Sequence, residues 1–368
     1  MEKVKVLHLE LDAHMGGIES FLYNLYSQID RECVQFDFVT RSNRPAMESE
    51  LRELGAKIYR VSSYKKPLAY MHDLNAVIEN GYDVIHIHKN SAAVILPFIV
   101  AHKHKNIRVF VHSHNTRPSV NGISKILHML NKGILWKYSD EHFACSEVAG
   151  KWLYGNKKFT IIRNGIVAEK FRFTDSQRIK KRDELSLEEG SFAIGHVGRF
   201  TDQKNHRFLI DIFNEVSRMK EKSILLLIGE GENREKIECK VKELGLGDKV
   251  RFLGNRSDIP QLLMSMDAFV MPSLYEGLPI SAVEAQATGV NTFLADTISK
   301  ETELSSAVTW FSIDDKASNI AKIIIEKCKK ENDRLLCNAE VIKAGFAMEN
   351  TAKMLQDTYN NARTENLR

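Results

Sequence analysis

Short apolar runs and amphipathic stretches alternate along this chain of 368 residues. Residues 4–11, 34–40, 57–61, 84–88, 108–112 and 142–145 read as strands. Residues 18–29, 48–54 and 92–103 read as helices, with a further helical stretch ending near Asn80. Strands that alternate with helices predict a parallel sheet covered on both faces, with ligands beyond the carboxyl ends of its strands. The alternation resumes with strands at 192–197, 224–228, 250–253 and 268–272. At this length two such domains are expected.

Composition narrows the setting. Hydrophobic residues make up 43% and charged residues 27%, an ordinary globular balance. The five cysteines are odd in number and show no C-x-x-C spacing, so they read as thiols of a reducing compartment rather than a disulfide framework or metal site. The N-terminal residues run straight into a strand, unlike a signal peptide, and no apolar run reaches membrane-spanning length. A cytoplasmic location is therefore expected. The net charge of +4 is uneven: residues 1–165 hold 22 Lys+Arg against 16 Asp+Glu. A basic first half suits an anionic membrane or an acidic acceptor, whereas nucleic acid is not indicated, because basic and aromatic residues are not interleaved.

Several strand ends carry residues with chemical potential. Asp12 to Gly17 forms a strand–loop–helix unit whose Gly16 and Gly17 would admit a ligand close to the backbone, or simply make a tight turn; G-x-G-x-x-G is absent. His86 and His88, like His112 and His114, are two apart on a strand and so share a face. Four such histidines raise a zinc-site alternative, but no cysteine or acidic cluster stands at ligand spacing, and the reading taken is one functional histidine at the rim. Arg199 and Lys204 fall in one loop after a strand, where both can meet one anion. Gly229 and Gly231 follow another strand, and Arg256 a third. Glu276 and Glu284 flank the start of a predicted helix over 280–288, Glu284 one turn in, with Pro279 at its first position and Gly289 at its stop. The N–H groups of Ile280 and Ser281 would face a phosphate there, and Glu284 would place a carboxylate beside an apolar stripe, where it needs partners.

In residues 122–137, Ile123, Ile126, Leu127, Leu130 and Ile134 recur at helical spacing amid Lys125, Lys132 and Lys137. The stripe reads as core, with a basic amphipathic helix on a membrane as the alternative. Arg178 to Arg182 reads as a polar, basic lead-in to the second domain.

Taken in order, these motifs resemble the retaining glycosyltransferases of the GT-B fold, specifically the "group 1" family, glycosyltransferase family 4. The stretch from Glu276 through Leu278 to Glu284 resembles that family's E-x7-E motif, the 111–115 run its strand-ending H-N segment, Asn164-Gly165 its domain crossing, and Gly198 to Asn205 its basic loop. Residues 296–301 resemble the branch that builds exopolysaccharides and capsules. Gly289-Val290-Asn291 departs from the usual Gly-(L/V)-Pro.

The resemblance implies an α/β chain of two Rossmann-like domains facing each other across a cleft: 1–165 joined by a terminal helix from 350, and 166–349. It implies a donor sugar held by Glu276, ribose by Glu284, a leaving diphosphate by Arg199 and Lys204, and a histidine near the sugar, His114 or, shifted by two, His112. Gly16, Gly17, Gly229, Arg256, Leu278, Ile280 and Ser281 would complete the nucleotide-sugar site. The implied reaction needs no metal or other cofactor. A UDP-sugar donor and a glycan or lipid-linked acceptor are expected. The alternatives are a GT-B nucleotide-sugar epimerase and an inactive binding partner.

Overall fold

The computed structural model describes residues 3–13, 16–114, 122–330 and 332–366. The chain separates into two compact units, Met1–Val167 with Ala347–Arg368, and Ala168–Phe346.

The first unit holds a seven-stranded parallel sheet: β1 (Val4–Leu11), β2 (Val34–Thr40), β3 (Ile58–Arg60), β4 (Val84–Lys89), β5 (Arg108–Ser113), β6 (Glu141–Ala144) and β7 (Thr160–Ile161), in the spatial order β3-β2-β1-β4-β5-β6-β7. Reversal of strand order beside β1 opens a crevice at the carboxyl edge between β1 and β4. Alternate residues face opposite ways. Leu7, Leu9, Ile85, Ile87, Val109 and Val111 pack into one core. Val6, Phe36, Phe38, Val84 and Phe110 pack into the other, with Phe21 from helix Gly17–Gln28 and Leu355 and Tyr359 from helix Met348–Asn366. The last helix is thus part of the first unit, and it starts two residues earlier than the spacing predicts.

The second unit holds six parallel strands: β8 (Phe192–Val197), β9 (Ser223–Ile228), β10 (Val250–Gly254), β11 (Ala268–Met271), β12 (Asn291–Ala295) and β13 (Val308–Phe311), ordered β10-β9-β8-β11-β12-β13. The crevice here lies between β8 and β11.

Three readings change. The stretch 178–182 is helical, inside Asp175–Glu184. Arg178 donates to the carbonyls of Met264 and Met266 at 2.9 Å, and Arg182 to that of Ser265 at 2.9 Å. These cations close the end of helix Ile259–Ser265, whose last carbonyls lack helical partners.

Helix Gly122–Lys137 forms as predicted, but its apolar stripe does not enter the core. Ile123 is 77% and Leu130 69% exposed, and Ile126 and Met129 are also open. The helix is held by its other side. His128 stacks on Trp152 at 4.3 Å and accepts from the Ala92 N–H at 3.0 Å, Asn131 donates to the Ala93 carbonyl, and Leu135 is buried. Periodicity reports that a helix has an apolar face, not which face the protein covers.

Finally, Pro279 is the cap of helix Ile280–Ala287 rather than its first residue. With φ −71° and ψ 118° its backbone is extended, and its carbonyl accepts from Ala282 and Val283.

Candidate active site

In the second unit the loops leaving β8, β9 and β10 are pressed onto one another. Gly198 N–H donates to the Ile228 carbonyl, Gly229 N–H to Gly254 and Phe200 N–H to Glu230, at 2.9–3.0 Å. A Cβ at Gly229, where φ is +131°, would lie 2.3 Å from the Gly198 oxygen; one at Gly231 would lie 2.6 Å from the Phe200 oxygen. Glycine is therefore demanded here by chain-on-chain packing.

The β8 loop is also tied to the loop after β11. Leu274 N–H donates to the Gln203 carbonyl at 2.8 Å, and Gln203 Nε2 to the Tyr275 carbonyl at 3.0 Å. This clamp brings Lys204 to Glu276: Nζ lies 2.7 Å from Oε1, with the side chains only 16% and 12% exposed. The stem of Lys204 passes over Gly198, where a Cβ would approach its Cε to 3.2 Å. Glu276 is fixed from behind by its carbonyl, which accepts from Ser299 N–H at 3.1 Å. Arg199 is exposed and has no ion-pair partner among the described residues.

Four residues after Glu276 the helix Ile280–Ala287 begins. Because Ala282 and Val283 donate back to Pro279, the helix itself leaves the N–H groups of Ile280 and Ser281 unused. Leu278 lies in the entry loop, half-buried. Glu284 sits one turn in, half-buried, and burial pushes its carboxyl up to about 8. One short segment thus offers two N–H donors, a carboxylate paired to lysine and a second carboxylate with no counter-charge among the described residues. This set suits an anion adjoining hydroxyl groups.

Arg256 has a partner of its own. Its guanidinium makes two 2.7 Å hydrogen bonds to Asp258, which Lys181 also contacts at 2.8 Å. Those cations hold the Asp258 carboxyl well below the usual range.

In the first unit Gly16 caps helix Gly17–Gln28 with extended backbone, and a Cβ at Gly17 would come no nearer than 3.9 Å to Asn164 Nδ2. Packing among the described residues does not itself require glycine at 17. His14, Met15 and Asn115 lie outside the described residues. His114 follows the last residue of β5 and is half-buried, whereas His112 is fully buried against the edge of Phe21. Burial pushes the His114 imidazole down to about 3.

Sequence reasoning missed two features here. Glu10 sits at a bulge in β1 with φ +83°. Its carboxylate contacts Lys89 at 2.5 Å, Arg41 at 3.1 Å and the Tyr64 hydroxyl. Only the backbone marks this position, since a non-glycine residue at positive φ is strained. His8 was the other omission: it joins His86, His88, His112 and His114 on one face, because β1 lies beside β4.

Two parallel-sheet Rossmann-like units are the architecture of the GT-B glycosyltransferases. In overall structure the chain resembles Anabaena HepE crystallised with UDP (TM-score 0.79, 18% identity, covering 97% of this chain and 100% of that one) and WaaG, a glycosyltransferase involved in lipopolysaccharide biosynthesis (TM-score 0.69, 12% identity, 96% and 99%).

Residues 15–170 match the family described as Glycosyltransferase Family 4, and residues 177–342 that described as Glycosyl transferases group 1. The chain is 32% identical over 336 residues to EpsF of Bacillus subtilis (strain 168), a protein named as a glycosyltransferase, with 87% of this chain and 86% of that one covered. It is 22% identical, with 97% of each covered, to the UDP-Gal:alpha-D-GlcNAc-diphosphoundecaprenol alpha-1,3-galactosyltransferase of Escherichia coli. The chain belongs to this group 1 family and is a glycosyltransferase.

Proposed function

We propose that the protein transfers a sugar from a UDP-sugar, with retention at the anomeric carbon, to a glycan or lipid-linked acceptor during exopolysaccharide or capsule assembly. The observation that carries this reading is the Lys204–Glu276 pair at 2.7 Å, set in the loop that opens onto Ile280 and Ser281. Lys204, Arg199 and the two N–H groups take the diphosphate, whose charge grows as the glycosidic bond breaks. Glu276 holds the sugar and Glu284 the ribose hydroxyls. The acceptor oxygen bonds to the anomeric carbon on the face the diphosphate leaves, and its proton passes to a departing phosphate oxygen. From the first unit the reading takes His114, a neutral ring, as the histidine that serves the sugar.

The names of relatives support the donor and the pathway class. Apart from the galactosyltransferase above, solved structures of HepE hold UDP or UDP-glucose, and a Staphylococcus aureus relative is named a capsular polysaccharide biosynthesis glycosyltransferase. The decisive experiment supplies a panel of UDP-sugars with and without undecaprenyl-diphosphate-linked glycans. UDP release only with acceptor, and a product of unchanged anomeric configuration, is expected. Release of UDP without acceptor, an epimerised sugar, or no turnover with any donor would remove the reading.

No Asp-x-Asp cluster adjoins Glu276, and Arg199 and Lys204 supply the cations. Activity is accordingly expected to persist in excess EDTA. Activity lost in EDTA and restored by magnesium or manganese would contradict this.

No helix among the described residues is long and apolar enough to cross a membrane. The outward face of helix Gly122–Lys137 supplies a peripheral contact instead: Ile123, Ile126, Met129 and Leu130 enter the lipid interface while Lys125 and Lys137 meet anionic headgroups. Each basic residue contributes about 1 kcal/mol near such a surface, and salt screens it. Flotation with anionic liposomes at low salt is expected, weakened by salt and abolished by Ile126→Glu with Leu130→Glu. Equal flotation of that variant would show that another surface binds.

A further inference from the structure

The carboxyl edge of the first unit's sheet carries a group of charges that the proposed reaction does not use. The loop leaving β2, residues 41–47, holds Arg41 and Arg44, and the loop leaving β3, residues 61–66, holds Lys65 and Lys66. Neither loop has an acidic residue, and all four basic residues are exposed. Among the described residues Arg44, Lys65 and Lys66 form no ion pair. Glu10 and Lys89 stand nearby at the carboxyl ends of β1 and β4, the two strands that flank the unit's crevice.

Arg41 differs from the other exposed cations in being held. Its guanidinium carbon lies 4.1 Å from the centre of the Tyr64 ring, and its Nη2 donates to Glu10 Oε2 at 3.1 Å. Tyr64 is fixed in turn: its hydroxyl donates to Glu10 Oε1, which Lys89 Nζ also meets at 2.5 Å, and its ring packs on Tyr70 at 4.7 Å. An exposed arginine ordinarily gives up rotamer freedom when it binds a ligand. Here a ring and a carboxylate have already set the plane of the fork. Glu10 sets one negative charge against two cations, so the group keeps a net positive charge. Glu10 Oε2 is the one acceptor that the described residues give Arg41, and a guanidinium has five N–H groups, so most of its donors are left for a ligand. Two parallel N–H groups of such a fork match two oxygens of a phosphate. The φ of +83° at Glu10 fits this use, since strained backbone gathers at ligand clamps.

The residue beside these cations is apolar. Leu68, two positions beyond Lys66 at the start of helix Pro67–Ile78, is 82% exposed. Cations next to an open apolar side chain suit a phosphate joined to a hydrocarbon chain better than a free phosphate.

We propose that Arg41, held by Tyr64 and Glu10, binds the diphosphate of a lipid-diphosphate-linked acceptor, with Arg44, Lys65 and Lys66 adding a diffuse attraction. Arg41 is then a specificity-determining residue for the acceptor, and Tyr64 and Glu10 are positioning residues. The proposal rests on the reading of a lipid-linked acceptor, but its first test needs neither donor nor turnover.

That test titrates farnesyl diphosphate, a soluble ester of this chemistry, into the full chain by calorimetry, with inorganic pyrophosphate and UDP beside it. Farnesyl diphosphate is expected to bind the wild type and to bind Arg41→Gln about 10- to 100-fold more weakly, the range of a hydrogen bond between charged groups. UDP affinity stays unchanged and reports that the variant is folded. Tyr64→Leu, which removes the ring beneath the guanidinium, costs about 3-fold, and Tyr64→Phe, which keeps the ring, restores most of that. Arg44→Gln and Lys65→Gln cost about 2-fold each, as unheld surface charges do. Pyrophosphate binds more weakly than farnesyl diphosphate for want of the chain. Turnover supplies the second test, with one glycan presented on a lipid diphosphate and on an uncharged alkyl group. Arg41→Gln raises KM for the first by the same factor, leaves its kcat, and leaves the second acceptor unaffected.

Farnesyl diphosphate that fails to bind, or that binds Arg41→Gln as well as the wild type, would overturn the proposal. So would an equal loss of UDP affinity, a loss shared by the uncharged acceptor, or pyrophosphate binding as tightly as the ester. Anionic vesicles released by Arg41→Gln while farnesyl diphosphate stays bound would make the edge a reader of headgroups instead. Arg41-dependent binding by a chain that turns over no UDP-sugar would remove the proposed reaction and keep the site; normal turnover with Arg41-independent binding would do the reverse.

Discussion

Glu276→Ala is expected to lower kcat by about 10²- to 10³-fold, the usual cost of removing one preorganised electrostatic contact to a transition state. The structure adds a sign for binding. Glu276 and Lys204 neutralise each other at 2.7 Å, both largely screened from water. With Glu276 removed, Lys204 keeps its charge and has only the diphosphate left to meet. UDP should therefore bind as well as to the wild type or somewhat more tightly, even as turnover collapses. Turnover suffers because the carboxylate matters most when the sugar gains oxocarbenium-like charge, and UDP carries no sugar. Lys204→Ala should do the reverse for UDP, weakening it and leaving Glu276 buried without its partner. Calorimetry with UDP and UDP-sugar, beside steady-state turnover, separates the cases. Normal turnover in Glu276→Ala would mean that this loop is not the donor-sugar site.

Much of this arrangement was legible before the structure, for reasons that differ from element to element. The run 280–288 was readable because its start and stop signals are local: Pro279 and Gly289 confine the helix whatever surrounds it. The glycine at 289, where φ is +66°, also faces Arg334 so closely that a Cβ would lie 2.3 Å from its Cα. That contact with a residue far along the chain is invisible in sequence. The same limit applies to the histidines. Spacing of two placed His86 with His88, but His8 joins their face only because the strand order puts β1 against β4. Likewise the Lys204–Glu276 pair needs the β8 and β11 loops to be neighbours, a consequence of the β8–β11 pairing. The apolar stripe of helix Gly122–Lys137 shows the converse: the pattern was correct, and its burial was assumed. Patterns fix local conformation and facing, while partners across the sheet follow from topology.

Glu284 gives a test that depends on charge rather than on rate. Its carboxyl is pushed up to about 8 by burial, with no cation among the described residues offsetting the cost, so at pH 7 it is mostly protonated. Ribose hydroxyls donate to a carboxylate more strongly than to a neutral acid. Nucleotide binding should therefore favour the ionised form and release close to one proton at pH 7. Below pH 8 the affinity for UDP should fall, by at most about tenfold per unit, because each unit of pKa shift corresponds to about 1.4 kcal/mol. In Glu284→Gln the affinity should be weaker and this dependence absent. Stability supplies an independent arm with its own sign. The folded pKa stands above the ordinary carboxylate value of 4.5, so the folded chain holds a proton that the unfolded chain has already lost. The contribution is fully present below about pH 4.5 and drains away as pH rises through about 8. Glu284→Gln should accordingly gain stability over the wild type as pH rises toward 9, and show no such gain near pH 4.5. Calorimetry in buffers of different ionisation enthalpy reads the proton release, and thermal melts across pH read the stability. UDP affinity that is flat from pH 6 to 9 in the wild type, with no proton released, would separate Glu284 from the ribose and leave its burial a matter of packing alone.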